Sequence, residues 1–344
     1  MTTDIQRAIE IISRFGHLQE EEAEAVMNQI MTGEASEAQI GAYLMGLRMK
    51  GETEAEIIGS ARAMRANAVR VPTNSSGDLL DTCGTGGDKS GTFNISTTVA
   101  FVAAGAGLRI AKHGNRASTS KCGSADVLAE LGVNLDLTPE QVGRCIDDIG
   151  IGFLFAPKLH PAMKHAIGPR RQVGVRTIFN ILGPLTNPAG AQRQLMGVFA
   201  PDLTDFIASV LGALGSKKAV VVSGYGNLDE LTTTGPNRVS IYENGAVITE
   251  EWDPVDFDLK PAHISELLGG DAPQNARILR GVLSGEVDSA KHDVVVLNAA
   301  AALMAGGLVD SVTDGIATAR AVIDNGAALA KLDALVRYSQ ELVS

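Results

Sequence analysis

The chain has 344 residues, with 29 Lys and Arg against 40 Asp and Glu, a formal net charge of −11, 45% hydrophobic residues and only 4% aromatics. The apolar fraction excludes wholesale disorder, and the length allows a large core divided between two domains. The acid excess argues against a nucleic-acid partner, and the scarcity of aromatics against a carbohydrate or single-strand stacking surface.

Glycine is the one compositional excess, at 38 residues without a collagen period. It points to tight turns or to loops that approach a ligand closely. Cys83, Cys122 and Cys145 form neither a disulfide framework nor a zinc spacing, which predicts a reducing compartment. Residues 1–14 mix charges and lack an apolar signal core. The longest apolar run, 294–309, is interrupted by Asn298 and is too short to span a bilayer. A cytoplasmic protein with no membrane partner is expected.

In chain order, Ile5, Ala8, Ile9 and Ile12 repeat at helical spacing, and further amphipathic helices are predicted over 20–31, 37–49 and 53–68. Gly33 and Gly51 stand where C-terminal caps belong, and Ser36 and Thr53 where N-caps belong. A different grammar begins near Gly77: a strand over 79–83, the Gly-rich loop GTGGDKSG over 84–91, a small-residue helix over 96–106 and a strand over 108–111. This is a βαβ unit, which predicts parallel pairing. Further strands are predicted over 152–155, 218–223 and 238–242. Helices are predicted over 124–131, 139–149, 203–214, 273–284, 291–305, 311–325 and 327–342. The whole reads as a helical domain followed by a larger α/β domain.

Four segments carry chemistry. The 84–91 loop lies between a strand and a helix, so its N–H groups and the helix start can receive an anion; Thr92, Asn94, Ser96 and Thr97 add donors. It is neither G-x-G-x-x-G nor a Walker A loop, and the alternative reading is a plain tight turn. KHGNRASTSKCGS, over 112–124, follows the next strand and offers Lys112, Arg116 and Lys121 beside hydroxyls, with Gly114 permitting close approach. Loops at the carboxyl ends of parallel strands share one crevice. Residues 149–201 contain no Asp or Glu but have six Lys and Arg, and 81–121 is +3; these stretches hold +9 and the remainder −20. Such a basic island suits a small anionic ligand, and Arg170 is its best candidate for a bidentate carboxylate or phosphate contact. Asp229 and Glu230 follow the 218–223 strand, where paired carboxylates can hold Mg²⁺ against a phosphate. The parts suggest transfer chemistry run by positioning and electrostatics on a phosphate-rich substrate.

Taken together, DTCGTGGDKSGTFNIST (81–97), KHGNR (112–116), GSADVLAELG (123–132), FAPKLHPAMKHAIGPRRQVGVRTIFNILGPLTNP (155–188) and LDELTTTGP (228–236) closely resemble the anthranilate phosphoribosyltransferase family, in order and over essentially the whole chain. The resemblance implies an α/β fold of the nucleoside phosphorylase/phosphoribosyltransferase type. A small N-terminal helical domain over 1–72, joined by part of 165–190, would form the interface of a homodimer. A larger α/β domain over 73–344, with a central mainly parallel sheet, would bind phosphoribosyl pyrophosphate. The implied reaction moves the phosphoribosyl group onto the amine of anthranilate in tryptophan biosynthesis.

By motif match, Gly84, Gly87, Asp88, Thr92, Asn94, Ile95, Ser96, Thr97, Lys112, His113, Gly114, Asn115, Arg116, Ala117, Ser118, Thr119, Ser120 and Ser124 would hold phosphoribosyl pyrophosphate. Gly84, His113, Asn115, His160, Met163, Arg170 and Gly183 would hold anthranilate, and Ser96, Asp229 and Glu230 would hold Mg²⁺. No acid–base residue is assigned; His113 is the nearest candidate. Competing readings are a pyrimidine nucleoside phosphorylase, a nucleic-acid-binding paralogue of the same fold, and a helical dimerisation protein with a vestigial site.

Overall fold

The computed structural model describes residues 3–342, apart from 75, 76, 89, 118–120 and 288. The chain forms two units, Met1–Arg70 with Pro157–Pro188, and Val71–Ala156 with Ala189–Ser344.

The first unit opens with α1 (Asp4–Ser13), α2 (Glu20–Thr32), α3 (Glu37–Lys50) and α4 (Glu54–Ala66). Their boundaries follow local chemistry. Ser36 Oγ accepts the Gln39 N–H at 3.3 Å while Gln39 Oε1 accepts the Ser36 N–H at 2.9 Å, a reciprocal cap that starts α3. Thr53 and Glu56 do the same for α4. Gly33 ends α2 at φ +80°, a left-handed conformation that costs glycine little. Glu56 has a second task. Its buried carboxylate accepts the Leu18 N–H at 3.0 Å and pairs with the buried Lys50 ammonium at 2.7 Å. The returning segment adds α8 (Ala156–Leu159), α9 (Lys164–Val173) and α10 (Phe179–Leu182), which apolar periodicity did not reveal because they are short and α9 contains Pro169.

The second unit begins with β1 (Leu79–Gly84), α5 (Ile95–Gly105) and β2 (Arg109–Gly114), the βαβ unit read from sequence, with β1 and β2 parallel. It continues through α6 (Ser124–Glu130), α7 (Pro139–Ile149), β3 (Ile151–Phe155), β4 (Arg193–Gly197), α11 (Thr204–Ala213), β5 (Lys218–Ser223), β6 (Asn237–Glu243) and β7 (Ala246–Trp252). The helices α12 (Ala272–Leu283), α13 (Ala290–Gly306), α14 (Val312–Asp324) and α15 (Ala327–Glu341) close it. The seven-stranded sheet has the order β3-β2-β1-β4-β5-β6-β7, parallel through β5 and antiparallel beyond. Most of the 294–309 run lies in the buried core helix α13, which ends at Gly306, and among the described residues no helix is long and apolar enough to cross a membrane.

Two strands escaped the sequence reading. β4, Arg-Gln-Leu-Met-Gly, has neither alternation nor β-branched residues, and its conformation comes from lying between β1 and β5. β7 is an acidic edge strand. Its turn, Asn244-Gly245, has φ +53° and +82°, so the Asn-Gly pair was an available hairpin signal.

Candidate active site

The sheet order sets the site. From β1 the chain moves to β2 and β3 on one side, then returns with β4 on the other. Loops leaving the carboxyl ends of β1 and β4 therefore diverge and open a crevice. Gly84 and Gly197 are register partners at that edge, and Thr85 N–H donates to Gly197 O at 2.9 Å. Asp229 rests directly on them. A Cβ on Gly197 would lie 1.5 Å from the Asp229 carbonyl oxygen, and one on Gly84 would lie 2.4 Å from Asp229 Oδ2. The Gly86 N–H donates to the same Oδ2 at 2.5 Å. Both strand ends must be glycine for the 229–230 turn to reach the phosphate-type loop.

Glu230 lies against the start of α5, where its Oε1 accepts the Ser96 N–H at 3.1 Å and the Ser96 hydroxyl adds a hydrogen bond. Burial, then the charges of Asp88 and Glu230, push the Asp229 carboxyl well above the usual carboxylate range. Burial pushes Glu230 up to about 7, against the opposing charge of Lys112. The buried Lys112 ammonium donates to Thr82 O at 2.5 Å; burial lowers its pKa, and Asp81 and Glu230 oppose that shift. Asp88, Asp229 and Glu230 thus crowd together, with the Lys112 ammonium as an opposing charge among the described residues. Added positive charge would relieve this crowding. Among the described residues no three His, Cys, Asp or Glu side chains converge to hold a metal alone. The donors that do converge, two carboxylates and the Ser96 hydroxyl, are hard oxygens. They fit Mg²⁺ if ligand oxygens complete the shell.

The loop after β2 is organised by a residue outside the sequence-derived site list. Asp126 accepts the Ala117 and Gly123 N–H groups, each at 2.9 Å, and pairs with Arg116 at 2.9 Å. Burial works against its charge, but these bonds hold its carboxyl below the usual range. Arg116, read from sequence as a source of positive charge in this loop, is paired with Asp126, and its guanidinium also lies over the Phe155 ring at 5.7 Å. His113 is buried on β2, where its backbone N–H donates to Asp81 Oδ1 at 3.1 Å. The Asn115 carbonyl accepts the Ala125 N–H and the Ser124 hydroxyl. A Cβ on Gly114 would lie 2.2 Å from Ser124 Oγ and 2.7 Å from the Phe153 ring, so the glycine leaves room for both side chains.

Asn94 donates to Cys122 O and accepts from the buried Asn275 amide at 2.9 Å, so its side chain ties this loop to α12. Thr92 bridges Leu268, Gly87 sits in the loop at φ +72°, and Ile95 and Thr97 are buried in α5. Ser118, Thr119 and Ser120, expected on the phosphates, lie outside the described residues, as does Lys89.

The remaining expected residues belong to the helical unit. His160 is buried, which pushes its imidazole down to about 4 and keeps it neutral. Met163 ends the single turn Pro161–Met163 and is half-buried, and Gly183 follows α10. Arg170, on α9, stacks its guanidinium over Phe179 at 5.0 Å. Among the described residues its side chain makes no ion pair, so a half-buried planar cation is left available to an acid.

Residues 76–329 match the α/β domain of the glycosyl transferase family, and residues 6–68 match its helical bundle domain. The chain is 54% identical to anthranilate phosphoribosyltransferase from Moorella thermoacetica over 94% of both chains. The Desulforamulus reducens enzyme of the same name is 51% identical over 98% of each chain. The chain belongs to the anthranilate phosphoribosyltransferase family. The crystal structure of a Thermus thermophilus member superposes with TM-score 0.92 at 42% identity, covering 97% of this chain and 99% of that one. The Saccharomyces cerevisiae member, solved in complex with PRPP and Mg, gives TM-score 0.89 at 27% identity, covering 98% of both.

Against this family background, Gly197, Asp126 and Asn275 are what sequence reasoning missed at the site. Asp126 had a signal, standing three residues after Gly123 at the start of a predicted helix. Gly197 and Asn275 had none, since each matters through a partner more than 30 residues away.

Proposed function

We propose that this chain transfers the 5-phosphoribosyl group of 5-phosphoribosyl 1-pyrophosphate to the amine of anthranilate, releasing pyrophosphate and forming N-(5-phosphoribosyl)anthranilate. The observation that carries this reading is the Asp229-Glu230 pair seated between the Gly84 edge and the start of α5. Mg²⁺ bound by Ser96, Asp229, Glu230 and substrate oxygens would supply charge neutralisation for the departing pyrophosphate. The Gly-rich loop that begins at Gly84 and the start of α5 would receive phosphate oxygens, with the Gly86 and Ser96 amides already turned toward the carboxylate pair. The bond from ribose C1 to the pyrophosphate oxygen breaks with its electron pair on oxygen, the aniline nitrogen bonds to C1, and that nitrogen then loses a proton to solvent. An aniline is neutral at pH 7, so attack needs no prior deprotonation. Arg170 would hold the anthranilate carboxylate bidentately and so raise the effective concentration of the amine.

A homodimer built on the helical unit is part of the same proposal. It is supported by apolar side chains that this unit leaves exposed: Phe15 after α1 at 65%, and Met49 on α3 at 71%. The cytoplasm is the proposed location, in keeping with three free cysteines.

Loss of anthranilate fluorescence tests the reading. Consumption should require both phosphoribosyl pyrophosphate and Mg²⁺, and the paired change Asp229→Asn with Glu230→Gln should abolish it. Persistent fluorescence with both substrates and Mg²⁺ present would reject the proposed function; full activity in the double variant would reject the metal role.

A further inference from the structure

Asn298 interrupts the longest apolar run of the chain, and the chemistry above does not use it. It lies in α13 between Val-Val-Val-Leu and Ala-Ala-Ala-Ala, fully buried. A polar amide in such a helix is costly unless every group is bonded, and an apolar residue there would extend the core without a penalty. Two of its three hydrogen bonds leave the helix. Asn298 Oδ1 accepts the Leu231 N–H at 2.9 Å, and Nδ2 donates to Leu231 O at 2.8 Å, with Val294 O taking the other amide hydrogen at 2.8 Å. Leu231 is itself fully buried in a segment outside any strand, and Asn298 supplies partners to both of its backbone polar groups.

Leu231 follows the carboxylate pair. The Leu231 N–H and the Glu230 carbonyl share one planar peptide group, so gripping that N–H fixes the plane from which Glu230 projects. The next residue is gripped as well: Thr232 N–H donates to Asn237 Oδ1 at 2.7 Å, and Asn237 Nδ2 donates back to Thr232 O at 3.0 Å. The 229–230 turn is therefore anchored on its far side by two buried amides, one of them rooted in the core helix.

We infer that Asn298 is a positioning residue for the Asp229-Glu230 pair: it uses α13 as a rigid mount to aim both carboxylates at the crevice without touching substrate. The inference rests on the proposed function, in which that pair serves Mg²⁺ and phosphoribosyl pyrophosphate. Loss of an outer partner of a metal-binding carboxylate costs about 10- to 100-fold in metal affinity or activity.

The test compares Asn298→Ala, Asn298→Asp and a control, Val296→Ala, a buried position two residues away and so about 200° around the same helix. Asn298→Asp keeps an acceptor for the Leu231 N–H and loses the amide donor. Calorimetric titration of phosphoribosyl pyrophosphate at stepped Mg²⁺ concentrations is the readout besides turnover. In Asn298→Ala the Mg²⁺ concentration for half-maximal binding should rise about tenfold or more, while the KM for anthranilate stays unchanged. Asn298→Asp should fall between this variant and the wild type, and Val296→Ala should match the wild type. A folded Asn298→Ala protein with the Mg²⁺ dependence of the control overturns the inference. So does failure of both Asn298 variants to fold, which would make the residue a folding determinant. If the wild type binds phosphoribosyl pyrophosphate with Mg²⁺ but consumes no anthranilate, the proposed function fails while the positioning role remains measurable by binding.

Discussion

Gly197→Ala isolates the contact on which the site is built. Gly197 closes β4 without a left-handed φ, so alanine is conformationally acceptable there and the substitution acts through space alone. The added methyl would lie 1.5 Å from the Asp229 carbonyl oxygen, and an ordinary carbon–oxygen contact of about 3.3 Å therefore requires about 1.8 Å of separation. β4 is held on both sides by parallel pairing with β1 and β5, so the Asp229 turn is the part that yields. A displacement of about 1 Å at a reacting constellation costs about 100-fold in rate. The expected result is a fall of that order or more in kcat/KM for phosphoribosyl pyrophosphate, with a raised Mg²⁺ requirement. Overpacking should also cost about 1–3 kcal/mol, a fall in Tm of about 1–4 °C for a chain of this length. Anthranilate fluorescence and thermal unfolding measure the two effects. Gly77→Ala, where an added Cβ meets nothing within 4 Å, is the control. A Gly197→Ala enzyme with kcat/KM within about threefold of wild type and an unchanged Mg²⁺ dependence would refute the reasoning.

Three further outcomes are expected. Arg170→Ala should raise the KM for anthranilate far more than that for phosphoribosyl pyrophosphate in steady-state assays, since its free guanidinium fits a carboxylate; equal effects would remove that assignment. Glu56→Ala leaves the buried Lys50 ammonium and the Leu18 N–H without their partner, so chemical denaturation should register a loss of about 3–5 kcal/mol, whereas removal of the exposed Arg14–Glu10 pair should change stability little. His160 titrates near 4 in the fold and near 6.5 in the unfolded chain. The unfolded state therefore binds the extra proton between these values, and stability falls as pH drops through that window and levels off below it. Denaturation midpoints for His160→Gln should show a flatter profile across pH 6.5 to 4, and an unchanged slope would show that His160 is not the source.

Local chemistry was sufficient for much of this protein. Ser36, Thr53 and Gly33 mark helix ends because a cap is a contact within a few residues, and β1, α5 and β2 are legible because their apolar pattern and Gly-rich loop are contiguous. The Asp229-Glu230 pair and the 84–91 loop were legible as separate motifs, and their sequence resemblance named the family later shown by the relatives. What the sequence left open depends on distant partners. β4 is a strand because β1 and β5 pair with it, and Gly197 is a site residue because Asp229 folds back on it. Arg116 pairs with Asp126, Lys112 gives its ammonium to Thr82 rather than to solvent, and Asn298 finds Leu231 67 residues earlier in the chain. Spacing along a chain encodes caps, turns and periodic faces, but the approach of one backbone to another and the burial of a charge exist only once the sheet order has brought them together.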